Sequence, residues 1–237
     1  VSFTCEVERG LKTVQFPDIV VGVDVGLRHL AVLSTGEKVP SPQPLLKALQ
    51  KLARLNRELA QRKPGSKNRE ETRRRLARLH ARVARIRRDA MHKLTTRLAR
   101  TYGTVVIERL CVVGMLRNRR LARAVADASL AEIRRQLAYK TVWHGSRLVE
   151  ADRFWPSSRI CSRCGAVKES LPLWERTFRC DACGLSLDRD ENAARNLAAL
   201  AAAVAGSGPE TQNARGRDVR PEAASGGRQA VPEEAGS

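Results

Sequence analysis

Two groups of residues have types and spacings that could do chemistry. The first is Cys161-Ser-Arg-Cys164, followed after 15 residues by Cys180-Asp-Ala-Cys183. Each pair turns two thiols toward one point across a tight knuckle, and Gly165 and Gly184 follow directly, relieving the backbone turn. Four thiolates in a tetrahedron suit Zn2+, and a site closed by four protein ligands is structural rather than catalytic. The remaining cysteines, Cys5 and Cys111, stand alone in apolar runs and read as core. The second group is acidic. Asp24 interrupts the apolar run Val20–Val25, Glu108 ends the run Thr104–Ile107, and Asp188 and Asp190 open a helix. A carboxylate in a buried strand is unfavourable unless it is paired or bound to a cation. A solvated strand end or a helix cap accounts for each acid singly. Together, in a basic chain, they suit two hard cations, Mg2+ or Mn2+, held roughly 4 Å apart for phosphodiester cleavage. Gly26, just after the first acid, leaves room for substrate or backbone to approach.

Composition selects a partner that fits this chemistry. Lys and Arg number 44 against 25 Asp and Glu, a net charge of +19. Such an excess suits a polyanion and excludes an ordinary neutral metabolic enzyme. The charge is concentrated: residues 51–100 hold 18 basic and 4 acidic side chains. Arg73, Arg74, Arg75, Arg78, Arg82 and Arg85 are expected to follow a phosphate backbone, on DNA or on an RNA–DNA hybrid. No apolar run is long enough for a membrane span, and no charged-then-apolar leader opens the chain, so no membrane partner is expected. Six cysteines without a leader suit a reducing compartment and metal binding rather than disulfides.

The elements that must position these residues read as a mixed α/β fold. Residues 1–8 alternate like a strand, and with no initiator Met the chain is expected to be a fragment. Asp18–Val25, His29–Ser34 and a short strand near Lys38–Val39 form a meander. Leu45, Leu49, Leu52, Leu55 and Leu59 recur at helical spacing, and Pro64-Gly65-Ser66 breaks the run. Leu76, Leu79, Val83, Ile86, Ala90, Leu94 and Leu98 then continue it, which predicts a long hairpin with an apolar seam and an Arg-rich outside. Thr104–Ile107 and Arg147–Ala151 read as strands, and Leu121–Tyr139 and Asn192–Val204 as helices. Gly206–Ser237 has no periodicity and reads as a disordered tail.

On these residues the chain resembles the TnpB (OrfB) family of transposon proteins, distant relatives of type V CRISPR effectors. Val20–Leu33, Val106–Leu110 and Ser186–Leu197 look like its three RuvC motifs. Met115–Ala122, Asp152–Cys161, Arg176–Cys180 and Glu210–Arg220 match the family around and beyond the cysteine pairs. The resemblance implies an RNase H-like (RuvC) mixed sheet flanked by helices, with an inserted helical hairpin and an inserted four-cysteine zinc ribbon. It implies catalytic acids at Asp24, Glu108 and Asp190, choosing Asp190 over Asp188, with the four ribbon cysteines as zinc ligands. The order Asp-Glu-Asp is that of RuvC nucleases rather than the Asp-Asp-Glu of cut-and-paste transposases on the same fold. The expected division is a remnant of an upstream wedge domain over 1–16, RuvC parts over 17–42, 101–156 and 187–204, the basic hairpin over 43–100, the ribbon over 157–186 and the tail over 205–237. The implied function is a transposon's metal-dependent DNA endonuclease in the bacterial cytoplasm at the nucleoid, guided by RNA when intact. The alternative is a truncated, non-catalytic nucleic-acid-binding remnant. A small zinc-ribbon transcription module has no use for acids in buried strands.

Overall fold

The computed structural model describes residues 13–172 and 174–206. Its centre is a five-stranded mixed sheet in the order β3-β2-β1-β4-β5. The strands are β1 (Phe16–Val25), β2 (His29–Leu33), β3 (Lys38–Pro40), β4 (Tyr102–Glu108) and β5 (Arg147–Ala151). The meander β1–β2–β3 is antiparallel, and β4 and β5 then add in parallel to β1. Parallel neighbours need crossovers, and helices supply them. These are α1 (Pro44–Gln61) and α2 (Lys67–Thr101) before β4, then α3 (Val112–Arg117), α4 (Ala122–Ala128) and α5 (Leu130–His144) before β5. A two-stranded ribbon, β6 (Thr177–Arg179) and β7 (Ser186–Asp188), leads into α6 (Arg189–Gly206).

Strand alternation divides the side chains between two helical layers. Val21, Val23, Val105 and Ile107 pack against Met91, Leu94 and Leu98 of α2 and Ile133 and Leu137 of α5. Val20, Val106, Val149 and Ala151 face the other way, toward Leu197 and Ala201 of α6. Helix α6 lies directly on β1: a Cβ at Gly22 would overlap the backbone carbonyl of Ala194 and the amide of Ala198. At 35 residues α2 is about 50 Å long. Its second half covers the sheet. Its first half pairs with α1 through Ala48, Leu52, Leu76, Leu79 and Val83. Ser66 caps α2 by accepting the Arg69 amide, as the expected break there requires.

Several expectations need correction. Ile86 is 41% exposed, because it falls between the hairpin core and the sheet core, where α2 leaves α1. The expected helix Leu121–Tyr139 is two helices, broken at Ser129, whose φ of 51° is left-handed. The break serves Asp127, which is buried: its carboxylate accepts the amides of Leu45 and Leu46 and pairs with Arg87 at 2.9 Å. Gln43 offers α1 no side-chain cap, so Asp127 supplies one from another helix. Cys111 is half-buried at the start of α3 rather than inside a strand. The expected strand over 1–8, Cys5 and the tail over 207–237 lie outside the described residues.

Candidate active site and four-cysteine cluster

Asp24 lies next to the last residue of β1, Glu108 ends β4, and Asp190 stands in the first turn of α6. Val23 is in register with Ile107, so Asp24 and Glu108 follow one another out of the same end of two adjacent parallel strands. Their inward neighbours Val23 and Ile107 face α2 and α5, which turns the two acids toward the layer of α6. All three acids line one cleft of about 470 Å³, with Gly26, Trp155 and the basic residues Arg28, Arg176 and Arg189.

The electrostatics of this cleft are those of acids held together. Burial holds the Asp24 carboxyl well above the usual carboxylate range, and the nearby Asp190 and Glu108 charges push it further, with Arg189 opposing. Burial also raises Glu108. A divalent cation would reverse this balance, favouring the charged carboxylates. The donor set is three hard oxygen ligands of the kind Mg2+ and Mn2+ prefer. Among the described residues, the four cysteines form the one group of three or more ligand side chains close enough together to hold an ion.

The two aspartates near the start of α6 do different work. Asp190 lines the cleft, whereas Asp188 caps the helix, accepting the amides of Asp190 at 3.0 Å and Glu191 at 3.3 Å. Lys38 donates to its other oxygen at 2.6 Å. Burial pushes the Asp188 carboxyl up, but the Lys38 hydrogen bond and the two amides outweigh it, leaving the group below its ordinary value.

Cys161, Cys164, Cys180 and Cys183 form a cluster that can hold a metal ion. The Cys161–Cys183 and Cys164–Cys180 sulfurs are each 3.6 Å apart, too far for a disulfide. They are close to the roughly 3.8 Å edge of a tetrahedron with Zn–S bonds of about 2.3 Å. The two knuckles repeat one geometry. Cys161 N–H donates to Ala166 O and Cys180 N–H to Leu185 O, and Gly165 and Gly184 turn back with φ of 77° and 70°. Phe178 fills the small core beside them.

The cluster is joined to the cleft through α6. Buried Asn192 donates to Ile160 O at 2.7 Å and accepts the Ser162 amide at 3.0 Å; Asn196, one turn on, donates to Ser157 O and Ile160 O, both at 2.7 Å. The strand-end pattern does not single out these asparagines, nor Arg28, Arg176 and Arg189. Their signal is weak: two Asn four residues apart in an Ala-rich helix, and basic residues beside the acidic motifs.

The hairpin arginines divide. Arg73 and Arg74 pair with Glu70, Arg75 turns to Glu58 of α1 at 3.5 Å, and Arg78 approaches Glu71 at 3.9 Å. Arg82 and Arg85 are exposed. By helical spacing Arg74, Arg78 and Arg85 share the side away from the apolar seam, and Arg73 and Arg82 flank it. Among the described residues no helix is long and apolar enough to cross a membrane.

Residues 2–119 match the OrfB_IS605 family, described as "Probable transposase", and residues 131–197 match the Cas12f1-like TNB domain. A Streptomyces pristinaespiralis protein named "Putative RNA-guided DNA endonuclease" is 46% identical over 202 residues, 84% of this chain and 50% of the relative. The Escherichia coli K12 relative of the same name, InsQ, is 36% identical over 83% of this chain and 52% of its own length. The chain thus spans about half the length of these curated relatives. The fold is similar to that in a Cas12f1–sgRNA–target DNA complex, with a TM-score of 0.56 and 18% identity over 77% of this chain and 50% of that one. A CRISPR-Cas12f ternary complex gives 0.57 and 19% over 81% and 40%.

Proposed function

Because the chain belongs to the TnpB/OrfB family, we propose that it carries the RuvC-type, RNase H-like nuclease centre of an RNA-guided DNA endonuclease. The observation that carries this reading is the meeting of Asp24, Glu108 and Asp190, from three distant parts of the chain, in one cleft. These residues would hold two Mg2+ or Mn2+ ions, which supply an activated water and stabilise the leaving 3′ oxygen. Asp24 in the central strand, Glu108 and Asp190 would together supply the carboxylate oxygens that hold the ions. Arg28, Arg176 and Arg189 orient the phosphodiester in the cleft, and the hairpin arginines hold the backbone of DNA or of an RNA–DNA hybrid. Zn2+ on the four cysteines would fix the ribbon against α6. The relatives named as RNA-guided DNA endonucleases support DNA as substrate and guide RNA as partner.

The test is cleavage of single-stranded DNA with added Mg2+ or Mn2+, read alongside the rise in melting temperature that those cations produce. Asp24→Ala, Glu108→Ala and Asp190→Ala are each expected to lower cleavage roughly a hundredfold or more, without adding when combined. Each should also abolish the cation-dependent rise. Asp188→Ala should lose only about 1 kcal/mol of helix capping and keep most activity. Undiminished cleavage by any of the three, or an inactive Asp188→Ala beside an active Asp190→Ala, overturns the assignment. A non-catalytic nucleic-acid-binding remnant would give no cation dependence in either readout.

A further inference from the structure

Two aromatic rings near the cleft stand in water with no role in the core. Phe154 is 81% exposed and Trp174 is 80% exposed. The Phe154 amide donates to Asp152 Oδ1 at 2.8 Å, a local turn that holds the ring's backbone outward. The Arg153 guanidinium lies over the ring, 5.3 Å from its centre. On one side of Phe154, Arg153 lines a depression of about 490 Å³ together with Glu108 and Arg109; on the other, Trp155 lines the cleft of the three acids. The residues before and after Phe154 thus line two hollows that share Glu108. Trp174 rises from the ribbon loop that begins at Pro172. Arg189, whose side chain also lines the acid cleft, anchors that loop by donating to Pro172 O at 2.9 Å, and Arg176 lines the same cleft.

We infer that Phe154 and Trp174 are stacking platforms for the bases of a single strand of nucleic acid lying across the carboxylate cleft. Exposed rings set among arginines suit this ligand. The arginines track the phosphates, and each ring takes the face of a base regardless of its identity. A duplex does not fit, because its bases already stack on one another and present only edges. A protein partner is disfavoured by the lining of the two hollows, where Arg28, Arg109, Arg153, Arg176 and Arg189 outnumber Asp24, Glu108 and Asp190. The inference rests on the cleft being the cleavage centre. It adds what positions the strand: stacking fixes the nucleotide, so that one phosphodiester comes to rest over the acids.

The test measures binding of this chain, without added divalent cation, to an oligothymidylate and to an abasic strand of equal length. The unsubstituted chain should bind the base-bearing strand more tightly. Phe154→Ala should weaken that binding roughly tenfold and leave the abasic strand unaffected, and Phe154→Trp should restore it. Trp174→Ala should act in the same way. Binding of both strands alike by the unsubstituted chain, an unchanged oligothymidylate affinity in both alanine variants, or an equal loss on both strands overturns the inference; a ring that docks a protein would give the first or second result. Asp24→Ala, measured in parallel, should keep the preference for the base-bearing strand over the abasic one, because both rings remain in place. The binding comparison is therefore independent of whether the acids cleave, and failure of one reading is separable from failure of the other.

Discussion

Asp24 is a charge placed where folding alone would not put one. Its burial and the neighbouring Asp190 and Glu108 favour its protonated form in the native state. In an unfolded chain it would titrate near pH 4. Between that pH and the raised native value, the folded chain binds more protons than the unfolded one, so Asp24 makes stability fall as pH rises through the window. Glu108 acts in the same direction. Asp188 acts in the opposite direction: its lowered value adds stability at neutral pH that is lost as pH falls through it. Asp24→Asn is therefore expected to raise the melting temperature of the cation-free chain at neutral pH and to make the decline with pH shallower. Mg2+ or Mn2+ should stabilise the unsubstituted chain and not the variant. Thermal melts from about pH 4 to 8, with and without cation, check this; a variant no more stable than the original at neutral pH would contradict the account of Asp24.

Among the elements, α6 joins the most parts. It bears Asp190, holds the ribbon through Asn192 and Asn196, and touches β1 where Gly22 has no side chain. Gly22→Ala places a methyl against helix backbone, which cannot swing aside as a flexible side chain could. The expected result is a loss of about 1–3 kcal/mol by denaturant melts and a cleavage defect larger than any loss of nucleic-acid binding, because the shifted helix carries Asp190. Unchanged stability would mean that α6 is less tightly seated than the geometry implies. The strands and Asp24 are legible in the sequence because alternation is local: one acid among valines stands out at once. Glu108 and the cysteine knuckles are legible for the same reason. The asparagine bonds of α6 are not, since they join residues 30 or more positions apart. Nor is the break at Ser129, which carries no Gly or Pro; it is held by what Asp127 does for α1 and Arg87.

On the scale of the whole molecule, the cysteine cluster and the acids form one mechanical unit although neither touches the other's ligands. The ribbon core is Phe178 with few apolar neighbours, too small to hold itself without a cross-link. Stripping the metal by chelation, or Cys161→Ser, should unfold the ribbon, release the Ile160 and Ser162 contacts on α6, and lower cleavage with all three acids intact. Metal analysis, with one Zn2+ per chain expected, and cleavage measured on the same sample check it; full activity in zinc-free protein would show that the two sites are independent. The linear placement of the acids also sets a timetable. Asp24 and Glu108 leave the ribosome before Asp190, which comes only after the ribbon has been made. At roughly 5–20 residues per second, the 82 positions from Glu108 to Asp190 take several seconds to synthesise. On the proposed function, until α6 emerges and settles over Gly22 the nascent chain would carry its arginine hairpin without a complete cleavage centre. Interrupted synthesis would then yield a binder rather than a stray nuclease.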